Sequence, residues 1–325
     1  MSTPTPGLGV GLDLPWTAPY GIVGGQVSPR TLAFLEREGH RFAQAFVSWQ
    51  PPDRGVPRLA DVEGPFQAFF DRLPHARRTL HQTALNLAGT GYDRGPLIDF
   101  TNALVERFGF AWVNEDLGCW TVGGWSLPYP QAPWLTEDAV RHCSAVCREV
   151  DAALNAPLVV EFPGFEVVPP GDLDAYTFFR QVVERSGCAA TLDTGHLLTW
   201  RWLQGHRGEA LLDGLDALPL EHVIELHCAG VVETGDRLID AHHGVLSPLQ
   251  LALVERLIDR CPALQVVTYE DPRFDDDGVL PPGAATSLDA LEQALQRFEP
   301  AAPRALPGPT ATDVPLDRSP WEDAL

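Results

Sequence analysis

The sequence contains no lysine, no secretory signal and no apolar run near the ~20 residues that a membrane-spanning helix needs. It has 23 basic residues, all of them arginine, and 44 acidic residues, which gives a formal net charge of -21. A surface this acidic repels nucleic acid and anionic membranes, so we exclude both as main partners. A cationic peptide or a metal ion would instead be attracted.

The six cysteines follow no secretory signal, which is typical of reduced thiols in a cytoplasmic protein. With 325 residues, 45% of them hydrophobic, the chain can bury a large core. An α/β barrel still forms one domain at roughly 250 residues. We therefore expect a disordered lead over 1–6, one barrel domain over 7–299 and a proline-rich disordered tail over 300–325.

Short apolar segments alternate with amphipathic helical patterns along the chain, and this alternation predicts parallel strands joined by helices. About eight such units favour a (β/α)8 TIM barrel over an open sheet. The predicted strands are 7–14, 42–49, 78–87, 111–117, 157–162, the start of 190–198, 223–229 and 265–270.

The stretch A-T-L-D-T-G-H-L-L at 190–198 predicts a buried strand that ends in two metal-ligand side chains, Asp193 and His196. We expect Gly195 to permit a sharp turn that brings both side chains to one ion. The alternative is that Asp193 only caps the next helix while His196 packs beneath it.

Nine histidine, aspartate and glutamate residues fall at or just past the carboxyl ends of predicted strands or in the loops that follow them, where a barrel assembles its active site. So many buried charges are costly unless cations compensate them. Four imidazoles and five carboxylates suit Fe, Mn or Zn, and two or three ions with bridging carboxylates would use them all. The candidate ligands are His81, Asp116, Glu161, Asp193, His196, His227, Asp240, His242 and Glu270.

Two further residues, Glu115 and His243, are possible ligands because each is adjacent to a candidate. Successive side chains of a strand point to opposite faces, so only one of Glu115 and Asp116 reaches the barrel axis.

A series of short motifs resembles the multinuclear non-heme iron-dependent oxidative enzymes, the MbnB-like family within the xylose-isomerase-like TIM barrels. The resemblance covers roughly residues 8–298, with the motifs in the family's order. They include L-H-Q-T-A-L-N-L at 80–87, V-N-E-D-L-G-C-W at 113–120, V-V-E-F-P at 159–163, L-D-T-G-H at 192–196, H-C-A-G at 227–230, D-A-H-H at 240–243 and Y-E-D at 269–271.

The resemblance implies that the nine candidates bind two or three iron ions, with Asp193, His196 and Glu270 as catalytic residues. It further implies O2 as co-substrate, a ribosomally made precursor peptide oxidised at cysteine or a neighbouring residue, and a small partner protein that binds the leader peptide. Three positions depart from the family pattern. Asp116 stands where histidine is common, Phe162 replaces asparagine, and His196 replaces a frequent asparagine.

The segment 118–134 is rich in glycine, proline and aromatic residues, which predicts an irregular loop over a pocket. Its Trp120, Trp125, Tyr129 and Trp134 would form a lid or a peptide-binding surface. The alternative is aromatic packing of the loop onto the barrel rim.

Two other function classes remain open. One is a non-redox metalloenzyme of the same barrel type, either a phosphodiesterase or a sugar isomerase or epimerase. The acidic surface disfavours a phosphodiesterase acting on DNA, and the lack of lysine disfavours a sugar isomerase. The other class is a non-catalytic metal-binding scaffold.

Overall fold

The structure is a computed structural model that describes residues 8–14, 21–23, 26–49, 56–122 and 125–297. The segments predicted to be disordered, 1–6 and 300–325, lie outside the described residues.

Eight parallel strands form a closed barrel, in which each strand pairs with the next and the last pairs with the first. The predicted TIM barrel is therefore confirmed. The strands are β1 Gly9–Leu14, β2 Gln44–Trp49, β3 Arg77–Gln82, β4 Val113–Asp116, β5 Leu158–Glu161, β6 Ala189–Asp193, β7 Val223–Cys228 and β8 Val266–Glu270.

Each barrel strand is followed by an α-helix that packs its apolar face on the barrel. The helices are α1 Pro29–Glu38, α2 Leu59–Phe70, α3 Gly95–Phe108, α4 Glu137–Ala153, α5 Ala175–Ser186, α6 Thr194–Leu203, α7 Pro248–Arg260 and α8 Pro282–Gln296. None of the helices in the described part of the chain is long and apolar enough to cross a membrane.

Local sequence explains why these helices begin where they do. The Thr136 hydroxyl accepts a hydrogen bond from the backbone N–H of Ala139 at the start of α4, and Ser247 caps α7 in the same way. Along α4, Cys143 and Cys147 lie one turn apart on the buried face, where they pack as small apolar side chains. All six cysteines are free thiols.

Alternate residues of each strand point into the barrel, and their side chains form three layers. The mouth layer, at the carboxyl ends of the strands, contains Asp13, His81, Asp116, Glu161, Asp193, His227 and Glu270. Beneath it lies a second layer of Gln44, Thr79, Asn114, Thr191, Glu225 and Thr268, all buried. The floor is apolar and includes Trp112, Val159, Ala189 and Val266.

Two β-hairpins rise from the mouth of the barrel. The first hairpin pairs Cys119–Val122 with Trp125–Gln131, and the second pairs Val231–Thr234 with Arg237–Asp240. The prediction of an irregular loop over 118–134 was therefore wrong. The prolines that argued against a strand are tolerated because a two-stranded ribbon has free edges that need no backbone donor.

The remaining regular elements are short. Ile22–Val23 pairs with Gln26–Val27, and 3-10 turns occupy Gly39–Arg41, Gly208–Leu212, Leu215–Ala217 and Leu220–His222.

Candidate metal centre

Glu161, at the end of β5, is the carboxylate around which the mouth layer converges. Its Oε2 lies 3.2 Å from Nε2 of His81, and its Oε1 lies 3.2 Å from Nδ1 of His227. The amide of Asn114 in the second layer donates a 2.5 Å hydrogen bond to Oε2. Strands β3 and β7 thus each place an imidazole beside the buried carboxylate of β5. This arrangement is suited to a bridging metal ligand.

A second cluster forms where the start of α6 meets the end of the second hairpin. Nε2 of His196 lies 3.5 Å from Oδ2 of Asp240, and Nε2 of His242 lies 3.0 Å from the same oxygen. Nδ1 of His196 donates a 2.8 Å hydrogen bond to the backbone carbonyl of Phe162. That bond places the free lone pair on Nε2, which is how proteins orient a metal-binding imidazole.

Gly195 contributes space to this cluster, and the expected sharp turn is absent. Helix α6 begins at Thr194, directly after the strand, and Oδ1 of Asp193 accepts a 2.7 Å hydrogen bond from the backbone N–H of His196. The helix-cap interpretation of Asp193 is therefore correct and is compatible with a ligand role for its other oxygen. A β-carbon at position 195 would lie 2.5 Å from Oδ1 of Asp240, so a larger residue would displace this carboxylate.

Three groups of side chains each offer three ligand atoms that lie within 4.8 Å of one another. Glu161 and Asp193 each belong to two groups, so the groups form one continuous cluster. Among the described residues, Oδ2 of Asp193 and Oδ1 of Asp240 are buried without a hydrogen-bond partner. Unpaired buried oxygens beside imidazoles fit a set of bound cations. The groups are His81–Asp116–Glu161, Glu161–Asp193–His227 and Asp193–His196–Asp240.

Two candidates, Glu270 and His242, stand outside these groups but contact them. Oε1 of Glu270 lies 3.2 Å from Nδ1 of His227, and His242 contacts Asp240. The structure therefore brings all nine predicted residues to one mouth of the barrel.

The two alternative candidates lie elsewhere. Oε2 of Glu115 accepts hydrogen bonds from the backbone N–H groups of Ala84 and Leu85, at 3.1 and 2.8 Å, and so anchors the segment that follows β3. Asp116, in contrast, lies 3.8 Å from His81. Nδ1 of His243 accepts a hydrogen bond from the backbone N–H of Val245, and His243 belongs to none of the three groups.

Asp13 and Asp271 are residues of the mouth that the sequence prediction missed. The Ser48 hydroxyl donates a 3.1 Å hydrogen bond to Asp13, and Nδ1 of His242 lies 3.0 Å from Asp271. Burial and the nearby charge of Asp271 raise the pKa of Asp13 to about 7. A signal was present, since Asp13 lies at the carboxyl end of the first strand, as six of the nine candidates lie at the ends of theirs.

The charges of this centre are strongly coupled. Burial opposes ionisation of Glu161, yet His227 and His81 hold its pKa well below the usual range. Burial raises the pKa of Asp193 to about 6. For His196, burial opposes the charge, but Asp193 and Asp240 raise its pKa to about 9. Protons and metal ions therefore compete for the same atoms.

The metal-free protein should lose stability as the pH rises from about 6 to about 9. Because the folded-state pKa of His196 is about 9 and its ordinary value is 6.5, its stabilising contribution is complete below pH 6.5 and disappears as the pH passes 9. The raised pKa of Asp193 acts in the same direction between 3.8 and about 6. Calorimetric Tm values measured with a chelator across this range would check the trend.

Added metal should remove this pH dependence, since an ion replaces the protons that hold the carboxylates together. A Tm of the metal-free protein that rises between pH 6 and pH 9 would contradict the charge pattern.

The closed barrel and the ligand cluster at its mouth define the class of protein: a (β/α)8 TIM barrel with a candidate multinuclear metal centre. The fold is also that of a Rhodospirillum rubrum protein assigned to the xylose isomerases. The two structures superpose with a TM-score of 0.56 over 90% of this chain and 100% of the other, at 13% identity.

Residues 59–280 match the family described as RiPP precursor modification enzyme MbnB/TglH/ChrH, and the chain belongs to this family. RiPP denotes a ribosomally synthesised and post-translationally modified peptide. The matched region contains all nine candidate ligands.

Similar curated proteins carry the description UPF0276. One from Rhizobium meliloti is 27% identical over 228 residues, which cover 64% of this chain and 71% of the relative. Another, from Paraburkholderia phytofirmans, is 32% identical over 193 residues, covering 56% of this chain and 60% of the relative.

Proposed function

We propose that this protein is an O2-dependent, multinuclear iron enzyme that oxidises a side chain of a ribosomally made precursor peptide, at cysteine or a neighbouring residue. The observation that carries the proposal is the continuous cluster of three histidine and carboxylate groups that share Glu161 and Asp193. Membership in a family of RiPP precursor modification enzymes supports the peptide substrate.

The nine candidates would hold two or three ions, with Glu161 and Asp193 in bridging positions. Bound iron would supply redox chemistry with O2, which imidazole and carboxylate ligands support at centres with open coordination positions. The protein itself contributes a buried site: His227, Glu161 and Asp193 are almost completely shielded from solvent. Asp13, whose pKa burial and Asp271 raise to about 7 in the metal-free protein, lies at the edge of the centre as a group that can hold a proton.

The substrate peptide would enter across an exposed apolar patch beside the mouth. Trp125 is 80% exposed, Trp134 is 67% exposed, and Val167 and Val168 are 66% and 57% exposed. A bridge between Leu135 and Gly171 joins the segment of Trp134 to the loop that bears the two valines. Large apolar side chains this exposed are typical of a protein or peptide contact.

The proposal includes a small, separate partner protein that binds the leader peptide, as the family resemblance implies. It also places the enzyme in the cytoplasm, where the six free thiols would remain reduced.

Replacing both Trp125 and Trp134 by alanine should raise the KM for the precursor peptide by about tenfold, or ~1.4 kcal/mol, and leave kcat and metal content unchanged. Both indoles are exposed and neither belongs to the three ligand groups, so only peptide binding should suffer. Steady-state kinetics with metal analysis would check this. The control is His75→Ala. The His75 side chain is exposed and follows α2 at the opposite end of the barrel. An unchanged KM would show that the peptide binds elsewhere on the protein.

Metal analysis of protein purified without oxygen tests the proposal directly. We expect two to three iron ions per chain and a Mössbauer spectrum with a magnetically coupled pair. Mass spectrometry should then show oxidation of the precursor peptide that requires O2. Stoichiometric zinc without iron, or metal-dependent hydrolysis or isomerisation without O2, would reject the proposal in favour of a non-redox enzyme. Bound metal without any turnover would favour a scaffold.

A further inference from the structure

The second layer of the barrel is polar where an apolar layer would be easier to bury. Its members include a carboxylate, Glu225, which is 0% exposed and lies on β7. A buried charge is costly unless hydrogen bonds or a partner charge compensate it. The position and contacts of Glu225 indicate what it does.

Both carboxylate oxygens of Glu225 are held by donors from three different parts of the barrel. Oε1 accepts hydrogen bonds from Nε2 of Gln44 at 2.8 Å and from the hydroxyl of Thr268 at 2.5 Å. Oε2 accepts a 2.8 Å hydrogen bond from the indole Nε1 of Trp112 in the floor. These bonds fix the orientation of the carboxylate.

His227 lies two residues after Glu225, so both side chains point into the barrel. Nε2 of this imidazole lies 3.5 Å from Oε1 of Glu225 and forms no hydrogen bond within the described chain. Nδ1, on the other side of the ring, lies 3.2 Å from both Glu161 and Glu270. The ring is 0% exposed and thus connects the second layer to the candidate metal centre.

We propose that Glu225 is a positioning residue that keeps the proton of the neutral His227 imidazole on Nε2 and directs the Nδ1 lone pair at the metal centre. A carboxylate accepts hydrogen bonds and cannot donate them, so Glu225 favours a proton on Nε2. In the metal-free protein Glu161 and Glu270 favour a proton on Nδ1 in the same way, and a bound cation would take the place of that proton. Carboxylates with this role behind a ligating histidine also raise its basicity. The inference rests on the metal binding proposed above.

Glu225→Gln distinguishes positioning from packing because the two side chains have nearly the same size. The indole of Trp112 can only donate, so the amide oxygen of the introduced glutamine must face it. The amide NH2 then faces Gln44, Thr268 and His227. Gln44 can rotate its own amide to accept, as its Oε1 otherwise lacks a partner in the described region. Against His227, the NH2 favours the tautomer with its proton on Nδ1, and the protonated Nδ1 cannot bind a metal ion.

The experiment compares Zn(II) affinity, measured by competition with a chromogenic chelator, in the wild type and in Glu225→Gln. We expect the variant to bind at least one ion about 10–100-fold more weakly, the usual effect of losing such a partner. Thr101→Val is the matched control, since it removes the buried hydrogen bond from Gln82 at a site outside the barrel interior. It should lower Tm without changing zinc affinity.

Nitrogen-15 NMR of zinc-loaded wild type with labelled histidine gives a second readout that needs no variant. His227 should show a metal-bound Nδ1 and a protonated Nε2. Metal-bound Nε2, or equal zinc affinity in wild type and a folded Glu225→Gln, would overturn the assignment of Glu225 while leaving the metal centre intact. A wild type that binds neither zinc nor iron would overturn the proposed function and this inference with it.

Discussion

Glu161→Gln should remove most of the bound metal and abolish oxidation of the precursor peptide. Glu161 belongs to two of the three ligand groups and contacts both His81 and His227. The substitution keeps the shape but removes the charge that would balance two cations. Loss of a supporting residue alone costs roughly 10–100-fold in metal affinity, and loss of a shared ligand should exceed that. Metal content and turnover measured on protein loaded under the same conditions would check it.

Glu115→Gln is the matched control, because Glu115 is equally buried and lies on the adjacent strand β4. Its carboxylate holds the backbone of Ala84 and Leu85, so the variant should lose stability while keeping its metal. If Glu115→Gln emptied the site and Glu161→Gln did not, the assignment of ligands on β4 and β5 would be wrong.

His196→Asn should remove one ion per chain and leave the others bound. The imidazole belongs only to the group with Asp193 and Asp240, at one end of the cluster. Asparagine is the residue frequent at this position in the family that the sequence resembles, so the change should be tolerated by the fold. Iron analysis and Mössbauer spectra of the variant would show which component of the centre disappears.

His243→Asn provides the comparison for this variant, since His243 is a rim histidine that contacts Val245 and lies outside the ligand groups. It should retain the full metal content. A His196→Asn protein with undiminished iron and activity would show that the imidazole is a neutral variation.

The barrel was predictable because its signals are local. Buried parallel strands have apolar sequences, the intervening helices have a different period, and the carboxyl ends of the strands collect the polar residues. The nine candidate ligands could be placed at one mouth from this rule, extended to the loops that follow the strands. The same rule would have selected Asp13, had it been applied to the first strand.

Other features depend on contacts between distant segments, which local pattern does not encode. Alternation predicts that one of Glu115 and Asp116 faces the barrel axis, but the register of β4 against its neighbours decides which. The first hairpin was not predicted, because its prolines are typical of a loop. Glu225 was overlooked because a charge in mid-strand acquires a role only when Gln44, Trp112 and Thr268 converge on it.

The space beside Gly195 affects how relatives of this protein should be assigned a function. A methyl group at this position would lie 2.5 Å from an oxygen of Asp240 and 3.0 Å from an oxygen of Asp193, so it would displace the Asp240 carboxylate. A homologous chain could thus retain every ligand and still lose the centre through one small change at a residue that binds nothing. A signature for this chemistry should therefore require glycine at this position in addition to the histidines and carboxylates.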